Sequence, residues 1–590
     1  MSDSQAKRTM PRMLISLLIT LAIGAVWFYV SLPAINLHNT GFYSFAFVLL
    51  LVYILVFMIV LGVDTGKQEI HLRDYLSFAK SQCKIVVIAI AVLAVLFVVG
   101  QILSAPIFRA SSYHELLQVD TGDFATEIEP VSYNEIPMLD EASASVLGDR
   151  KLGELSDMVS QFDVSQDYAQ INYKGRPVRV AALEYGDFFK WFLNTKEGLP
   201  AYITVDMVTQ EADVVRLSDL GLEGMRYSPS EYFNRDLNRF LRFHYPTYMF
   251  SAPHLEINDE GEPYWICPRE TRTIGLFGGS DIIGAVMLNA CTGEHVYYDV
   301  ADIPSWVDRV YTASLIVQQY DYYGTYVNGF INSLIGQKDV TVTTENFNYL
   351  AMDDDVYMYT GITSASSDQS NIGFLLSNQR TKETTYYPAP GAIESSAQRS
   401  AEGVVQDLGY TATFPLLLNI GGQPTYFMSL KDSSQLVKMY AMVNVSQYQI
   451  VAQGTTVAAC ESDYLTQLQT RGIEVNTEGA HSALEQTAVE GVVAEIRTAV
   501  LNGDSWYYVR LDGSDTFYAM AAATDRNVVI LNVGDQVTIL VTPGAEEAAI
   551  VNALSISTGK AEPDPVETDA TGGTANDTGG AAAPAEPTEE

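Results

Sequence analysis

The stretch Ile283-Gly-Ala-Val-Met-Leu-Asn-Ala-Cys-Thr-Gly-Glu-His-Val-Tyr-Tyr298 decides the fold prediction, because its framework is written twice in the chain. The second copy, 372–387, lies 89 residues later and keeps Ile-Gly, Thr-x-Glu and Tyr-Tyr at the same offsets. A shorter form, Thr209-x-Glu211 followed by Val214-Val215, precedes the first copy. Repetition at fixed offsets is typical of an array of one supersecondary unit. The sequence therefore predicts such an array over residues 176–480.

A second recurring phrase, Gly-x-Pro-x-aromatic, marks the entry to strands of this unit. It begins at Gly198, Gly261 and Gly422. Proline presets φ and glycine permits a bend, so the phrase suits the start of a strand. A turn, a second strand, the Thr-x-Glu turn, a short third strand and a helical stretch follow. This order predicts α+β units.

The segment Tyr202-Ile-Thr-Val-Asp-Met-Val-Thr-Gln-Glu211 resembles the core of the PepSY domain, in which a strand runs into a valine–aspartate turn with Thr and Gly-Glu. The first full copy keeps the glycine of that family as Gly293, whereas Gln210 and Lys382 stand at the same position of the other two turns. The resemblance is to a hairpin type. It implies PepSY-like hairpin units within the array.

Three apolar runs lie in the first 105 residues, at 13–35, 42–63 and 85–104. Each has the roughly 20 residues that a helix needs to cross a hydrocarbon core about 30 Å thick. Lys and Arg precede the first run and fill the loop between the second and third, while the connection 36–41 has none. Positive charge marks the cytoplasmic side. We therefore expect a three-helix membrane anchor at 1–105, with a cytoplasmic N-terminus and an extracellular remainder.

The part that follows the anchor is strongly acidic. The whole chain carries a formal net charge of −37, and nearly all of its 71 Asp and Glu residues come after residue 105. Such a surface repels nucleic-acid phosphates and anionic lipid heads, and it favours solubility. The sequence therefore predicts an integral membrane protein with no nucleic-acid partner. Cell-wall glycan and envelope proteins remain as exterior partners.

Composition divides the remainder further. Residues 106–175 begin polar and acidic and are interpreted as a stalk or lead-in to the array. Residues 486–558 have five strand-like segments, with a break after the third and Gly534-Asp535 before the fourth, and resemble a small OB-type barrel. Residues 560–590 are rich in Ala, Gly, Thr, Pro and Glu. They cannot bury enough apolar surface to become ordered, so we expect a disordered acidic tail.

The chain also contains the strings Gln170-Ile-Asn-Tyr173, Pro177-Val-Arg-Val180 and Asp308-Arg-Val-Tyr311. On these strings it is similar to a group of uncharacterised, large membrane-anchored envelope proteins of Gram-positive anaerobes, some of which carry a colicin-V-production label. The resemblance implies a location in the cell envelope and no established activity.

Known catalytic patterns are missing from the sequence. The seven histidines include no His-Glu-x-x-His, and neither a Gly-x-Ser-x-Gly elbow nor a Gly-x-x-x-x-Gly-Lys-Ser/Thr phosphate loop occurs. The apolar runs carry no charge at mid-membrane depth, so they offer no polar pathway for transport. We therefore expect no enzyme activity, no cofactor and no metal.

Two cysteines form the first candidate site. Cys267 and Cys291 flank a hairpin turn expected at 278–281, and folding about that turn brings residue 267 opposite 291 or 292. This separation suits a disulfide, and it equally suits two buried free thiols. The sequence leaves both alternatives open.

Two clusters and one tryptophan are the remaining candidates. Three consecutive aspartates form either a cation cluster or a solvated loop, since adjacent side chains cannot readily all face one ion. Four clustered tyrosines form either an aromatic patch for sugar rings or packing between units. Trp265 is either core or an exposed glycan platform. The aspartates are Asp353, Asp354 and Asp355, and the tyrosines are Tyr320, Tyr322, Tyr323 and Tyr326.

Two functional hypotheses follow from these expectations. The first is a non-catalytic, membrane-anchored extracellular binding or scaffolding protein of the bacterial cell envelope. The alternative is an accessory or regulatory subunit of an envelope hydrolase or exporter, in which the PepSY-like units act on that partner.

Overall fold

In the computed structural model, the chain divides into two compact units, Met1–Ala483 and Leu484–Glu590. The first contains the apolar helices and four β-sheets, and the second contains a closed barrel. The predicted tail, 560–590, lies outside the described residues. The structure describes residues 3–62, 83–128, 136–344, 346–352, 354–365, 370–473, 475, 487–501, 504–522, 526–541 and 550–558.

Three helices near the N-terminus are long and apolar enough to cross a membrane, over Met10–Ser31, Thr40–Val60 and Lys84–Ser104. This confirms the three apolar helices that hydropathy predicts. The α-helices are α1 (Asp3–Ser31), α2 (Thr40–Gly62), α3 (Lys84–Ser104), α4 (Pro106–His114), α5 (Phe124–Glu127), α6 (Glu141–Gly153), α7 (Phe188–Asn194), α8 (Leu237–His244), α9 (Ala313–Thr325), α10 (Gly329–Ile331), α11 (Glu394–Val404) and α12 (Val457–Thr470).

Several of the shorter helices begin where the sequence supplies a side-chain cap. An Asp or Thr side chain accepts hydrogen bonds from backbone N–H groups of the first turn, which have no partner inside the helix. These caps fix where α6, α7, α8, α9 and α12 begin. The capping residues are Asp140, Asp187, Asp236, Thr312 and Thr456.

The strands of the first unit run through most of its length after α4. They are β1 (Asp120–Thr121), β2 (Phe162–Val164), β3 (Ala169–Tyr173), β4 (Arg176–Tyr185), β5 (Ala201–Asp206), β6 (Ala212–Arg216), β7 (Met249–Phe250), β8 (His254–Ile257), β9 (Pro263–Ile274), β10 (Gly278–Asn289), β11 (His295–Asp299), β12 (Thr341–Thr343), β13 (Asn348–Met352), β14 (Asp355–Ser364), β15 (Ser370–Asn378), β16 (Thr384–Ala392), β17 (Thr411–Ala412), β18 (Leu416–Ile420), β19 (Gln423–Lys431), β20 (Val437–Asn444) and β21 (Val451–Gly454).

These strands form four sheets with one common strand order. Sheet 1 is β2-β4-β5-β6, sheet 2 is β7-β9-β10-β11, sheet 3 is β12-β14-β15-β16, and sheet 4 is β17-β19-β20-β21. In each sheet a further short strand pairs with the second strand of that path: β3 with β4, β8 with β9, β13 with β14 and β18 with β19. β1 adds to sheet 3 in parallel with β16.

Sheets 2 and 3 share a hairpin turn, Asn289–Glu294 and Asn378–Glu383. In both turns, the backbone N–H of Asn donates to the Glu carbonyl oxygen at 2.9 Å. The side-chain oxygen of the same Asn accepts from the backbone N–H groups two and three residues further along the chain. Residues facing each other keep the same register, with Gly284 opposite Asp299 and Gly373 opposite Pro388. The duplicated phrase thus forms two hairpins with matching pairs.

Each of three buried cores in the first unit draws its side chains from two consecutive sheets. One core joins sheets 1 and 2 and includes Trp265 and Cys267. A second joins sheets 2 and 3 beneath α9, and a third joins sheets 3 and 4 with α11 and α12. The alternation of side chains along each strand lets one sheet serve two cores. Trp265 is therefore a core residue, 4% exposed, and not an exposed platform.

The lead-in 106–175 is not a stalk. Its strand β1 pairs with β16 of sheet 3, and α6 packs on sheet 1. Lys431 of sheet 4 binds Asp140 at the start of α6, with Nζ 2.5 Å from Oδ2. The acidic composition of this segment concealed pairing with strands that come more than 200 residues later.

The hairpin of β9 and β10 turns earlier than predicted. Ile274 pairs with Gly278, so the turn consists of Gly275, Leu276 and Phe277. The register that follows puts Cys267 opposite Val286. The prediction that residue 267 faces 291 or 292 is therefore wrong.

The second unit contains a closed five-stranded barrel in the order β22-β23-β24-β26-β25. β24 and β26 are parallel, and the other pairs are antiparallel. Alternate residues such as Val509, Val537 and Ile539 fill its interior. The strands are β22 (Thr487–Leu501), β23 (Asp504–Leu511), β24 (Phe517–Ala521), β25 (Gln536–Val541) and β26 (Ile550–Thr558).

Candidate functional site

The tip of the β9–β10 hairpin contacts the end of the third apolar helix. The Oγ atom of Ser104, in the last turn of α3, accepts hydrogen bonds from the N–H groups of Leu276 and Phe277, both at 2.9 Å. The same hydroxyl donates to the carbonyl oxygen of Gly100 at 2.7 Å. The Leu276 carbonyl oxygen accepts from Nδ1 of His38, which lies between α1 and α2, at 2.8 Å. One turn of sheet 2 is thus hydrogen-bonded to the end of α3 and to the connection between α1 and α2.

Phe277 extends this contact into the helices themselves. Its ring centroid lies 5.4 Å from that of Tyr43 in α2 and 5.3 Å from that of Phe97 in α3. A Cβ atom at Gly100 would lie 2.7 Å from the side chains of both Leu276 and Phe277. Glycine at this helix position therefore makes room for the hairpin tip. Aromatic rings near the ends of membrane-spanning helices are favourable at the boundary between lipid and water.

A second contact joins α8 to the end of α1. Arg239 donates from Nε to the Tyr29 carbonyl oxygen at 3.3 Å, and Arg242 donates from Nε to the Leu32 carbonyl oxygen at 2.9 Å. The last carbonyl groups of a helix lack partners inside the helix and carry partial negative charge, so arginines stabilise them. The ring of Phe243 packs on Tyr29, with centroids 6.1 Å apart. The α1 C-terminus is therefore held by side chains of a helix that precedes sheet 2.

The predicted tyrosine patch makes a third contact. The ring of Tyr322 lies 4.7 Å from that of Tyr113, and the ring of Tyr323 stacks on His114 at 4.7 Å. Tyr320 is buried beneath them in the core of sheets 2 and 3, and Tyr326 lies 6.2 Å from Tyr113. The patch consequently packs α9 on α4, the helix that directly follows α3. The tyrosines are used in packing, but three of them pack on α4 and not between the units. We name these three contacts together the membrane junction.

An exposed apolar helix lies beside the junction. In α7, Phe189, Phe192 and Leu193 are 77%, 63% and 76% exposed. Trp191 anchors the helix from below, because its Nε1 donates to Glu231 at 2.7 Å and its ring contacts Phe233 at 5.7 Å. The Phe233 carbonyl oxygen accepts from Arg239, the residue that also binds the end of α1. Patches of large exposed apolar side chains mark membrane or protein interaction surfaces.

A buried charged network ties the first three sheets together. Glu256 of sheet 2 is fully buried and accepts from the N–H groups of Asp308 and Arg309 at 2.9 and 3.1 Å. It also accepts from Nε2 of His254 at 2.8 Å. Asp308 in turn accepts from the N–H of Asn172, in sheet 1, at 2.6 Å. Two strands, β3 and β8, and the connection at 308–309 therefore share two carboxylates.

The connection 308–311 also reaches sheet 3, where the Gln379 carbonyl oxygen accepts from the N–H groups of Val310 and Tyr311. Burial, with the nearby Glu256 carboxylate, raises the pKa of Asp308 well above its usual value. Burial lowers the pKa of His254. Both groups are less than 3% exposed, so they are closed to solvent. The network suits bracing of the sheets and gives no substrate access.

Two of the three strings that carry the whole-chain resemblance, the first and the third, meet in this network. Asn172 lies in the first string and Asp308 in the third. Arg179, from the second, is buried opposite Gln170 and donates to the Tyr168 carbonyl oxygen. The side-chain amide of Gln170 is buried without a partner among the described residues. Sequence reasoning could not find this convergence, because the strings are up to 140 residues apart in the chain.

The two cysteines are both free thiols. Burial raises the pKa of Cys291 to about 12, and the fully buried Cys267 is shifted in the same direction. A thiol that stays protonated at neutral pH is a poor nucleophile and metal ligand. The pair contributes to the core of sheets 1 and 2.

The three aspartates have separate positions. Asp353 lies outside the described residues, and Asp354 is exposed in the β13–β14 turn with φ of 63°. Asp355 forms an ion pair with Arg380, with Oδ2 2.6 Å from Nη2, and accepts from Asn378. Its carboxylate is therefore used by the turn of sheet 3. Within the residues that the structure describes, no group of three or more His, Cys, Asp or Glu could hold a metal ion.

No protein-family model and no curated protein matches this sequence. The functional argument consequently depends on the junction, the exposed helix and the buried network.

Proposed function

We propose that this chain is a non-catalytic, membrane-anchored protein of the bacterial cell envelope, whose four sheets form an extracellular binding or scaffolding surface. The observation that carries the proposal is the membrane junction. There Ser104, Arg239 and Arg242 hydrogen-bond the sheet-bearing part of the first unit to the ends of two apolar helices. A domain on a flexible linker would need none of these bonds.

The geometry of the membrane junction favours a fixed orientation of the sheets relative to the apolar helices. Contacts at α1, at α3 and at α4 are spread over three separate helices, and together they oppose rotation of the sheets about any one of them. A scaffold or a binding surface benefits from fixed height and orientation, because less entropy is lost when it engages a partner. The buried network around Glu256 acts in the same sense, since it joins three sheets into one body.

The proposed orientation follows from charge. α1 and α3 end, and α2 begins, beside the sheets, whereas Lys and Arg are concentrated at the start of α1, before residue 13, and between α2 and α3. Positive residues stay on the cytoplasmic side. The proposal therefore puts the sheets outside the cell.

We also infer that the four sheets are copies of one α+β unit with PepSY-like hairpins, and that the barrel is OB-like. Support comes from the common strand order and from the matching turns in sheets 2 and 3. The turn at Asp206 in sheet 1 follows the same scheme, with its N–H donating to the Glu211 carbonyl oxygen. The OB-like assignment is supported by the five-stranded barrel in the second unit, since the OB fold is a five-stranded barrel.

A second candidate function is supported by α7. An accessory subunit of an envelope hydrolase or exporter needs an apolar surface for that partner, and Phe189, Phe192 and Leu193 supply one. In the scaffold proposal the same side chains instead enter the lipid interface, where aromatic residues are favourable.

Topology can be tested on intact cells with a membrane-impermeant maleimide. The described native cysteines are all buried, so background labelling is low. Asp213→Cys, whose parent side chain is 71% exposed, should be labelled from outside. Lys67→Cys, in the loop expected inside, should be labelled only after lysis. The reverse pattern would overturn the proposed orientation.

Function can be tested with a photo-crosslinking amino acid at Phe192, compared with the same group at Asp213. Lipid adducts at 192, together with glycan or several envelope proteins at 213, are expected for a scaffold. One dominant hydrolase or exporter captured at 192 would replace the scaffold proposal by the accessory one.

A further inference from the structure

A small polar cavity lies inside the membrane junction. Its volume is about 160 Å³, enough to hold several water molecules. The walls come from four parts of the fold: the α1–α2 connection with the start of α2, α8, β7, and the β9–β10 hairpin. The charged or polar lining residues include His38, Thr40, Arg242, Glu270 and Arg272.

The charges in this cavity do not cancel. Arg272 forms an ion pair with Glu270, with Nη1 2.9 Å from Oε1. Arg242 is half-buried, and burial lowers its pKa without an opposing carboxylate. Its Nε and Nη1 atoms donate to backbone carbonyl groups, the latter to Tyr248 at 2.7 Å. Nη2 of Arg242 has no hydrogen-bond partner within the part of the chain that the structure describes.

The two arginines and one glutamate of the lining thus leave it with a net charge of plus one, from Arg242. A partly desolvated guanidinium with a spare donor is suited to a phosphate oxygen. This local sign is the reverse of the chain's net charge of −37. The overall acidity, which argues against anionic lipid, does not describe this cavity.

An apolar groove begins one aromatic layer away. Phe277 lines the polar cavity, and its ring contacts Tyr43 and Phe97, which line a groove of about 340 Å³ between α2 and α3. Phe47 and Leu93 continue the groove along the two helices. The walls of the groove are mostly apolar, so it suits a hydrocarbon chain. A polar cavity and an apolar groove that are joined through the Phe277 ring match the two parts of one amphiphile.

We propose that the junction binds one anionic glycerophospholipid, with its phosphodiester at Arg242 and an acyl chain in the groove between α2 and α3. The ion-paired Glu270 offers an acceptor to headgroup hydroxyls, so phosphatidylglycerol suits the cavity. The bound lipid would lie against Phe277, the ring that joins the cavity to the groove. This site does not depend on which leaflet faces the sheets.

The test uses the full chain in nanodiscs and native mass spectrometry of retained lipid, with phosphatidylglycerol and phosphatidylcholine of equal chain length. The parent chain should retain phosphatidylglycerol with about tenfold preference, equivalent to about 1.4 kcal/mol. Equal retention of the two lipids would overturn the proposal.

Two matched variants change the cavity charge in opposite directions. Thr40→Glu introduces a carboxylate at the first position of α2, where the helix dipole tolerates it, and should abolish the preference, while Thr40→Gln should keep it. Glu270→Gln removes the negative charge and should increase the preference severalfold. If Thr40→Glu and Thr40→Gln behave alike, or if Glu270→Gln lowers retention, the site is not the one proposed.

A soluble headgroup separates lipid from free anion. Glycerol phosphate at millimolar concentration should not displace the retained lipid, because it lacks the chain that occupies the groove. Displacement by glycerol phosphate would instead identify the cavity as a site for free phosphate compounds and refute the lipid assignment.

Discussion

The turns Asn289–Glu294 and Asn378–Glu383 have the same hydrogen bonds, but they put different residues at the position where φ is positive. That position is Gly293 in sheet 2, with φ of 77°, and Lys382 in sheet 3, with φ of 66°. In sheet 1 it is Gln210, with φ of 62°. Only glycine adopts this region without cost, and other residues pay about 1–2 kcal/mol.

The difference is explained by what each side chain contacts. Nζ of Lys382 binds both carboxylate oxygens of Asp281 in sheet 2, at 2.8 and 2.9 Å. Nε2 of Gln210 donates to the Tyr440 hydroxyl in sheet 4 at 2.8 Å. At Gly293 the ring of Tyr227 occupies the space that a side chain would need. The backbone of the turn is therefore constant, and its strained position is used to tie one sheet to another.

The largest expected loss of stability comes from core substitutions at equivalent positions of sheets 2 and 3. Trp265 faces Leu288 across sheet 2, and Met358 faces Ser377 at the matching pair of sheet 3. Trp265→Ala should cost about 3–5 kcal/mol of unfolding free energy, because it removes a buried side chain and its bond to the Tyr227 carbonyl oxygen. Met358→Ala should cost about 2–5 kcal/mol for the smaller side chain.

Thermal unfolding of the detergent-solubilised chain measures both changes. Binding of either variant to purified cell wall, at a temperature where it is folded, should match that of the parent. A Trp265→Ala chain that melts like the parent would contradict the core position of this residue.

The second prediction concerns Gly293 itself. Gly293→Ala adds a Cβ at positive φ and against the Tyr227 ring, so it should destabilise the chain by about 2 kcal/mol. Gly403→Ala is the matched control, because nothing lies within 4 Å of that position in α11, and it should stabilise the helix by about 0.5–1 kcal/mol. The same unfolding assay decides the sign. Equal melting of both variants would show that the Tyr227 contact does not restrict this turn.

The sequence predicts those features that depend on residues close together in the chain, and it does not predict those that depend on residues far apart. The phrases around Gly284 and Gly373 predict two hairpins because turn, strand and register are encoded within about 16 adjacent residues. Hydropathy predicts three apolar helices for the same local reason. By contrast, the sequence predicts that Leu276 and Phe277 are strand residues, but they lie in a turn. Their backbone N–H groups are bonded to Ser104, which is distant in sequence and does not appear in the local pattern.

The candidate sites were harder to predict than the hairpins. The four tyrosines were recognisable as a cluster, but only the fold shows that Tyr113 and His114 are their partners. The exposed aromatic residues of α7 had a visible signal in the string Phe188-Phe-Lys-Trp-Phe-Leu193, which is too apolar for an ordinary surface helix. Glu256 and Asp308 had no signal that joins them in one buried network, since each is one acidic residue among the 71 Asp and Glu of the chain.

The third prediction tests the tie between sheets 3 and 2. Lys382→Gln and Asp281→Asn should each destabilise the chain, and a double-mutant cycle should give a coupling of about 1 kcal/mol. Both side chains are mostly buried, at 16% and 21% exposure, so added salt should reduce the coupling only slightly. Zero coupling would mean that the ion pair with Asp281 does not offset the strain of positive φ at Lys382.

The smallest effect is expected in sheet 1, where two contributions oppose each other. Gln210→Gly relieves the positive φ, worth about 1 kcal/mol, but glycine gains freedom in the unfolded chain and the bond to Tyr440 is lost. The net change should be a destabilisation of about 0.5 kcal/mol, half the Lys382–Asp281 coupling. Tyr440→Phe should cost about 1 kcal/mol in the parent and nothing in the Gln210→Gly chain, because the hydroxyl then has no partner from sheet 1. If Tyr440→Phe costs the same in both backgrounds, Gln210 does not tie sheet 1 to sheet 4, and the turn position serves the contact between sheets only in sheet 3.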